Sequence, residues 1–397
     1  MPRTRFNLVL SGVRLDGHFV DLGLSQGRIA RIAPAGTLTA IEGGAAPEMC
    51  QGLLALPGLI DGHIHLDKTF LGLPWMPHQP DATVIGRIAA EKAQLAGIEE
   101  PMAQRARRMV DHVATRGTTA LRTHVDVDAA TGLRGLEALL ALRAEVSHLV
   151  SIQIVAFPQS GALAHAQVLE DAVRAGADVV GGLDPAGIDS DIEAQLRLVF
   201  GIAGRHGVPI DIHLHDPGEL GAFELRRIAA HARATGMAGR VAVSHAYALG
   251  QVGESTLGHT AASLAEAGVA IMTNGPGPEA MPPIQRLVAE GVAVFVGSDN
   301  IRDAWSPYGN GDMLDRARLV GYRAALLTDT ELRLALDLVT TAPARVLGLP
   351  PPLLAEGAAA DLVLVAAEHV AEAVATAPPR ALVVKAGRIV ARGGVLG

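Results

Sequence analysis

Scarcity is the first feature of this 397-residue sequence. A single cysteine, Cys50, cannot close an internal disulfide and leaves no cysteine cluster for a metal. Any metal therefore falls to histidines and carboxylates, and the chain reads as one suited to a reducing compartment, the cytoplasm. Only three lysines occur, Lys68, Lys92 and Lys385. With 33 basic against 41 acidic residues the formal net charge is −8, and no run of basic residues stands out. A nucleic-acid polymer has no electrostatic footprint here. Nor is there an apolar stretch of membrane-spanning length, and the opening MPRTRFNLVLSGVRLDG alternates polar with apolar residues instead of offering the apolar core of a signal peptide. A membrane partner is not expected.

Histidine, by contrast, is plentiful, with 15 residues. Hydrophobic residues make up 49% and charged residues 19%, and Gly and Pro recur without a period, which describes a globular enzyme-sized chain and excludes a disordered or fibrous one. The length suits one large barrel-type domain or two smaller domains.

Both ends of the chain have a strand rhythm. FNLVLSGVRL, FVDLGLSQGRIARIAP and a run near LLALPG open it, and DLVLVAA and ALVVKAGRIVARGGV close it, with KAGR as a hairpin signal. The two ends are expected to build one small β-sandwich, from residues 1–56 and 346–397, around a middle of different character at 57–345. That middle alternates short apolar runs with Ala-, Leu- and Arg-rich helical stretches such as MAQRARRMVDHVATRG and GAFELRRIAAHARATG. Eight runs occur, at residues 58–67, 118–127, 151–159, 177–185, 209–216, 241–247, 269–276 and 292–300. Their number and order predict a (β/α)8 TIM-like barrel, with a doubly wound sheet as the alternative. Most of them carry His, Asp or Gln at or near their C-terminal ends. In a barrel those ends converge on one mouth, where the chemistry of this fold sits.

His63 and His65 stand two apart on the first run, so a strand points both imidazoles to one face as a chelating pair. Further ligands are sought at similar heights: His213 or His215 on the fifth strand, His245 on the sixth and Asp299 on the eighth. Such a set suits zinc or ferrous iron.

PGLIDGHIHLD, the fifth-strand histidine, SHAY and GSDN resemble the amidohydrolase superfamily over nearly the whole chain. HIHLDKTF, ALRTHVDV, QIVAFPQSG, GADVVGG and the late pair Asp303 and Trp305 are similar to its cytosine deaminase branch, which also contains hydrolases of N-substituted amino-triazines. The resemblance implies a metal-dependent barrel with one divalent ion, zinc or iron, on His63, His65, His213 and Asp299. Binuclear members commonly add a carboxylated lysine on the fourth strand, and VVGGLDP has none. On this reading Asp299 accepts a proton from water and His245 orients that water or stabilises growing charge, a buried hydrogen-bonded histidine being its other reading. Gln159 reads an amide-like ring edge, or is a turn amide after Pro158. Lys68 meets a substrate carbonyl or an acidic neighbour such as Asp67.

Two positions depart from the deaminase pattern. Asp216 stands where a Glu shuttles the proton, one methylene shorter, and Glu219 could supply the longer arm or cap the next helix. Asn300 stands where a second Asp lies near the amino group, and its amide donor suits a different leaving group. The expected activity is hydrolysis of a C–N bond in a small nitrogen heterocycle, foremost deamination of a cytosine-like, isoguanine-like or triazine ring. Removal of an alkylamine or opening of a cyclic amide is the alternative in the same class, and a metal-binding protein without turnover the alternative outside it. A homo-oligomer is compatible with all of these.

Overall fold

The computed structural model describes residues 5–79, 83–275, 277 and 279–397. Residues 1–4 of the N-terminal run, and Pro276 at the end of the seventh apolar run, lie outside the described residues.

The N-terminal segment forms β1 (Leu8–Leu15), β2 (His18–Ser25), β3 (Arg28–Pro34), the two-residue β4 (Glu48–Met49) and β5 (Leu54–Pro57). Turn chemistry sets their pairing. Asp16-Gly17 and Gln26-Gly27 take φ values of 46° and 79°, and 50° and 74°. Two consecutive left-handed residues make the turn whose twist matches an antiparallel hairpin. Leu15 is thereby set opposite His18, and Ser25 opposite Arg28.

Eight parallel strands follow: β6 (Leu59–Ile64), β7 (Thr118–Asp126), β8 (Ser151–Phe157), β9 (Val179–Leu183), β10 (Ile210–Leu214), β11 (Val241–His245), β12 (Ala270–Thr273) and β13 (Val294–Val296). Each falls within one of the eight apolar runs. Their order in the sheet is the order in the chain, without the reversal a doubly wound sheet requires. A parallel bridge between Ile64 and Asp299, with Asp299 N–H donating to His63 C=O at 2.7 Å, joins the last strand's end to the first. The fold is a (β/α)8 barrel. The two helical stretches singled out in the sequence form Met102–Thr115 and Gly218–Ala234, and an additional helix, α1 (Val84–Ala96), precedes the former.

The chain then returns to the terminal sheet as β14 (Leu362–Val365), β15 (Arg380–Lys385), β16 (Arg388–Arg392) and β17 (Val395–Leu396). KAGR is a hairpin of the same left-handed kind, with φ of 48° at Ala386 and 74° at Gly387. Antiparallel pairing of β14 with β5 joins the two ends of the chain, so the expected sandwich takes the form of one nine-stranded mixed sheet. The C-terminal part is not strand alone. A helix, Val370–Thr376, lies between β14 and β15 with Ala373 and Val374 buried. Seven residues, all but Glu372 being Ala, Val or Thr, are too few for a helical period to separate from a strand run. No helix among the described residues is long and apolar enough to cross a membrane.

The barrel interior tolerates little added volume near its mouth. A Cβ on Gly297 would lie 2.5 Å from His63 Cβ and 2.6 Å from its carbonyl oxygen. Gly297→Ala is expected to lower stability by about 1–3 kcal/mol. Gly204, within the helix Ile192–His206, meets nothing within 4 Å, and its replacement by Ala is expected to raise stability by about 0.5–1 kcal/mol. Urea unfolding of both variants checks the opposite signs.

Candidate active site

His63 ends the inward row of β6 and His65 lies just beyond the strand, both buried. Their Nε2 atoms are 3.4 Å apart. Asp299 Oδ1, brought across the seam, lies 3.5 Å from His63 Nε2 and 3.4 Å from His65 Nε2. Ligands at about 2.0–2.1 Å from a tetrahedral metal are separated by about 3.3–3.4 Å, so this nearly equilateral triangle has the edge of a metal coordination face. His213, on β10, shares a second grouping with His63 and with His124 of β7, their candidate ligand atoms lying within 4.8 Å of one another. Both ring nitrogens of His124 and of His213, and Nδ1 of His65, are buried without a hydrogen-bond partner. Unsatisfied buried nitrogens are costly, and a divalent cation is the group that such a donor set satisfies. The residues present therefore fit a metal. His215, the alternative to His213, is committed elsewhere, its Nδ1 lying 2.9 Å from Asp184 Oδ2.

His124 was not among the sequence candidates. The signal was available, because Arg122 and His124 repeat on β7 the period of two that marks His63 and His65 on β6.

Behind the histidines runs a chain of polar contacts. His63 Nδ1 lies 3.0 Å from Ser244 Oγ, Ser244 Oγ donates to Asp211 Oδ1 at 2.8 Å, and Arg122 donates to Asp211 Oδ2 at 2.8 Å. Fixing one imidazole nitrogen this way sets the ring's tautomer and leaves the other for a metal. Asp61, fully buried, accepts from the His63 and Ser298 N–H groups and from Ser298 Oγ, and burial pushes its carboxyl up to about 6. Burial also opposes ionisation of Asp299, but hydrogen bonds with His63 and His65 overcome it and hold the carboxyl well below the usual range. Its other oxygen accepts from Asn274 Nδ2 at 2.6 Å.

Above this cluster opens a pocket of about 910 Å³, lined among others by His65, His213, His245, Gln159, Asn300 and Trp305. His245 closes β11 with its ring stacked on His215, centroids 4.5 Å apart, and its Nδ1 3.3 Å from Tyr247 Oη. Desolvation, reinforced by the neighbouring His215, holds His245 well below its ordinary pKa and so neutral. Asp216 is not brought to the mouth. Its Oδ2 accepts from Gly187 N–H at 2.9 Å, and its carboxyl neighbours Glu224 rather than the pocket. Glu219 lies in the exposed first turn of the helix Gly218–Ala234 and accepts from Thr256 Oγ1 at 2.9 Å, as a residue of a helix N-terminus would. Asp184, just past β9, instead meets His215, which lines the pocket.

Lys68 is buried at the pocket wall with its Nζ directed to Gln159 Oε1, 3.0 Å from Asp126 Oδ1 and 3.3 Å from Glu91 Oε1. Its three N–H groups thus face protein oxygens, including the acidic neighbours Asp126 and Glu91. Gln159 Nε2 donates to Glu91 Oε1 at 2.9 Å, and Trp305 Nε1 donates to Glu91 Oε2 at 2.5 Å. Asn300, which lines the pocket, donates one amide N–H to Asp303 Oδ2 at 2.8 Å and keeps a second N–H and its carbonyl oxygen. Asp303 itself is pushed up to about 7 by burial, against the pull of Asn300.

A family model described as the amidohydrolase family matches residues 50–391. N-isopropylammelide isopropyl amidohydrolase of Pseudomonas sp. (strain ADP) is 33% identical over 389 residues, covering 95% of this chain and 94% of its own. The crystal structure of N-isopropylammelide isopropylaminohydrolase from Burkholderia multivorans ATCC 17616 superposes with a TM-score of 0.90 at 41% identity, over 98% of this chain and 99% of that one. 5-Methylcytosine deaminase from Klebsiella pneumoniae, liganded with 5-fluorocytosine, gives 0.84 at 29% identity, over 96% of both chains.

Ser244 touches His63 but offers no ligand to a metal in this geometry. Ser244→Ala is expected to weaken divalent-metal affinity about 10–100-fold, the usual effect of losing such a supporting contact. Competition for zinc against a chromophoric chelator measures it, and an unchanged affinity would show that His63 holds its orientation unaided.

Proposed function

The chain belongs to the amidohydrolase family and is a hydrolase of carbon–nitrogen bonds other than peptide bonds, and within that chemistry we propose that it displaces an alkylamino group from an oxo-substituted six-membered nitrogen ring, with N-isopropylammelide the substrate to test first. The observation that carries this reading is the pairing, in one pocket, of the His63–His65–Asp299 cluster with an apolar wall of Val84, Phe157, Leu183 and Trp305. A polar ring with an alkyl substituent matches both surfaces. Asn300 is compatible with it, because its side chain lines the pocket and its carbonyl oxygen can accept from a substituent N–H.

We assign one divalent ion per chain, zinc or iron, to His63, His65, His213 and Asp299, since β9 reads VVGGL and supplies no lysine for a second. When bound, the ion supplies Lewis acidity and brings the pKa of water towards neutrality. The protein does the rest. Asp299, held ionised, accepts a proton from the attacking water. His245, held neutral, orients that water by hydrogen bonding. Asp184, bound to His215 Nδ1, raises the pKa of that ring, so its other nitrogen can carry the proton that the departing amine takes up. Gln159 reads the ring edge. Water oxygen bonds to the ring carbon, the carbon–nitrogen bond breaks, and of the two water protons one leaves with the amine and one stays on the oxo product.

Deamination of an unsubstituted amino ring is the second reading, favoured by the likeness to 5-methylcytosine deaminase over nearly the whole chain. The two part on the product. Metal-replete protein offered N-isopropylammelide, cytosine and isoguanine is expected to release isopropylamine from the first faster than ammonia from the others. Faster ammonia release would establish the second reading, and neither product would remove both. With the better substrate, His215→Asn is expected to lose about 100-fold or more in kcat. Asp216→Asn is expected to stay within about threefold of the native rate, as suits a carboxylate engaged with the Gly187 N–H and Glu224. The reverse order would return the proton shuttle to Asp216.

A further inference from the structure

Glu91 is fully buried on α1 and does not line the pocket, yet its two oxygens meet three side chains that do. Oε1 faces Lys68 Nζ at 3.3 Å and accepts from Gln159 Nε2 at 2.9 Å, while Oε2 accepts from Trp305 Nε1 at 2.5 Å. These partners come from the segments that follow β6, β8 and β13. One carboxylate from the first helix therefore ties together three loops of the mouth.

The chemistry of the contacts fixes more than position. The two ends of a glutamine amide are nearly alike in shape, so its neighbours decide which end points where. A carboxylate only accepts and an ammonium only donates. Gln159 has Glu91 on its nitrogen and Lys68 on its oxygen. Turning the amide over would put its NH₂ against an ammonium and its carbonyl against a carboxylate, replacing two attractions by two repulsions in a site shielded from water. In the observed sense, one amide N–H and one carbonyl lone pair remain for a ligand.

We propose that Glu91 and Lys68 form an orientation lock on Gln159, so that the amide reading the substrate's ring edge is presented in one sense only, with Glu91 as the positioning residue. The proposal rests on the reading of Gln159 as the group that meets the ring. The ligand edge it selects is a ring oxygen, taken by the amide N–H, beside a ring N–H, taken by the carbonyl. A ring presenting the reverse order would find both groups mismatched, which is the most selective kind of recognition available to a polar pocket. Lys68 thereby acts on the substrate through Gln159 and not by a direct hydrogen bond.

A double-mutant cycle separates such a lock from a general structural role. In Glu91→Gln the new amide must present N–H to one of three donors, which frees Gln159 to turn. With whichever of N-isopropylammelide and cytosine the enzyme turns over faster, Glu91→Gln is expected to raise KM about tenfold with kcat within about threefold. Gln159→Leu should raise KM at least as much, and the double variant no more than Gln159→Leu alone. Additive effects would overturn the lock, because Glu91 would then act by another route. If Gln159→Leu leaves KM unchanged, the reading of Gln159 falls and the lock with it. Should Glu91→Gln fail to fold, Glu91→Asp, which keeps the charge on a shorter arm, takes its place with the same expectations. A readout free of substrate accompanies the cycle. The sequence has two tryptophans. In a Trp75→Phe background the indole N–H resonance of Trp305 is expected to move upfield on loss of the carboxylate partner, and a stationary resonance would contradict the contact on which the proposal stands.

Discussion

The buried ion pair of Arg122 with Asp211 underlies the rest of the barrel's chemistry. Both side chains are at most 1% exposed, and the 2.8 Å contact lies inside the barrel. Isolated from water, such charges cost more than their attraction returns unless every remaining group is satisfied. Here it is: Arg122 also donates to Gln153 Oε1 and to the Val346 carbonyl, and Asp211 also accepts from Ser244. Ser244 in turn meets His63. The pattern recurs strand by strand. Asp61 precedes His63 by two residues, Arg122 precedes His124 by two, and Asp211 precedes His213 by two. Since inward residues alternate, each charged side chain occupies the layer directly beneath a mouth histidine. One layer of charged, hydrogen-bonded side chains carries a layer of imidazoles.

How much of this the sequence conveys follows from the period of each signal. The barrel rests on eight repeated units, each with an apolar run, so no single ambiguous segment could change the architecture. The short helix Val370–Thr376 has no such redundancy. At the site, His63, His65, His213 and Asp299 announce themselves by spacing and by motif. His124 obeys the same spacing but is paired with an arginine, and a single histidine in a buried strand carries little signal alone. Glu91 was beyond reach. It stands within an ordinary amphipathic helix, and nothing local marks a glutamate that faces inward rather than out.

The mouth is also where the backbone departs from its preferred angles. Asp184, His245, Ala246 and Asp299 all have positive φ, at 34°, 76°, 47° and 59°. None is glycine, and each costs conformational energy that the surrounding contacts must over-determine. The contacts do so: Asp184 N–H donates to the His213 carbonyl at 3.0 Å, Ala246 N–H to Leu214 at 3.1 Å and Asp299 N–H to His63 at 2.7 Å. In each case a left-handed residue past the end of one strand is held by a backbone hydrogen bond to a neighbouring strand.

The loop that begins at Asp184 also sets where Asp216 sits. The space near Asp216 is set by Gly187, where a Cβ would lie 2.5 Å from Asp216 Oδ1. With no side chain there, Asp216 settles against the Gly187 N–H and beside Glu224, whose carboxyl burial and Asp216 together push up to about 8. Two carboxyls in contact, one of them fully buried, resist being ionised together, so the pair is a natural holder of one shared proton. Glu224 is tied further to the Ala186 N–H at 2.9 Å, and Ala186 and Gly187 follow Asp184 directly in the loop after β9. The pair therefore anchors the loop that presents Asp184 to His215.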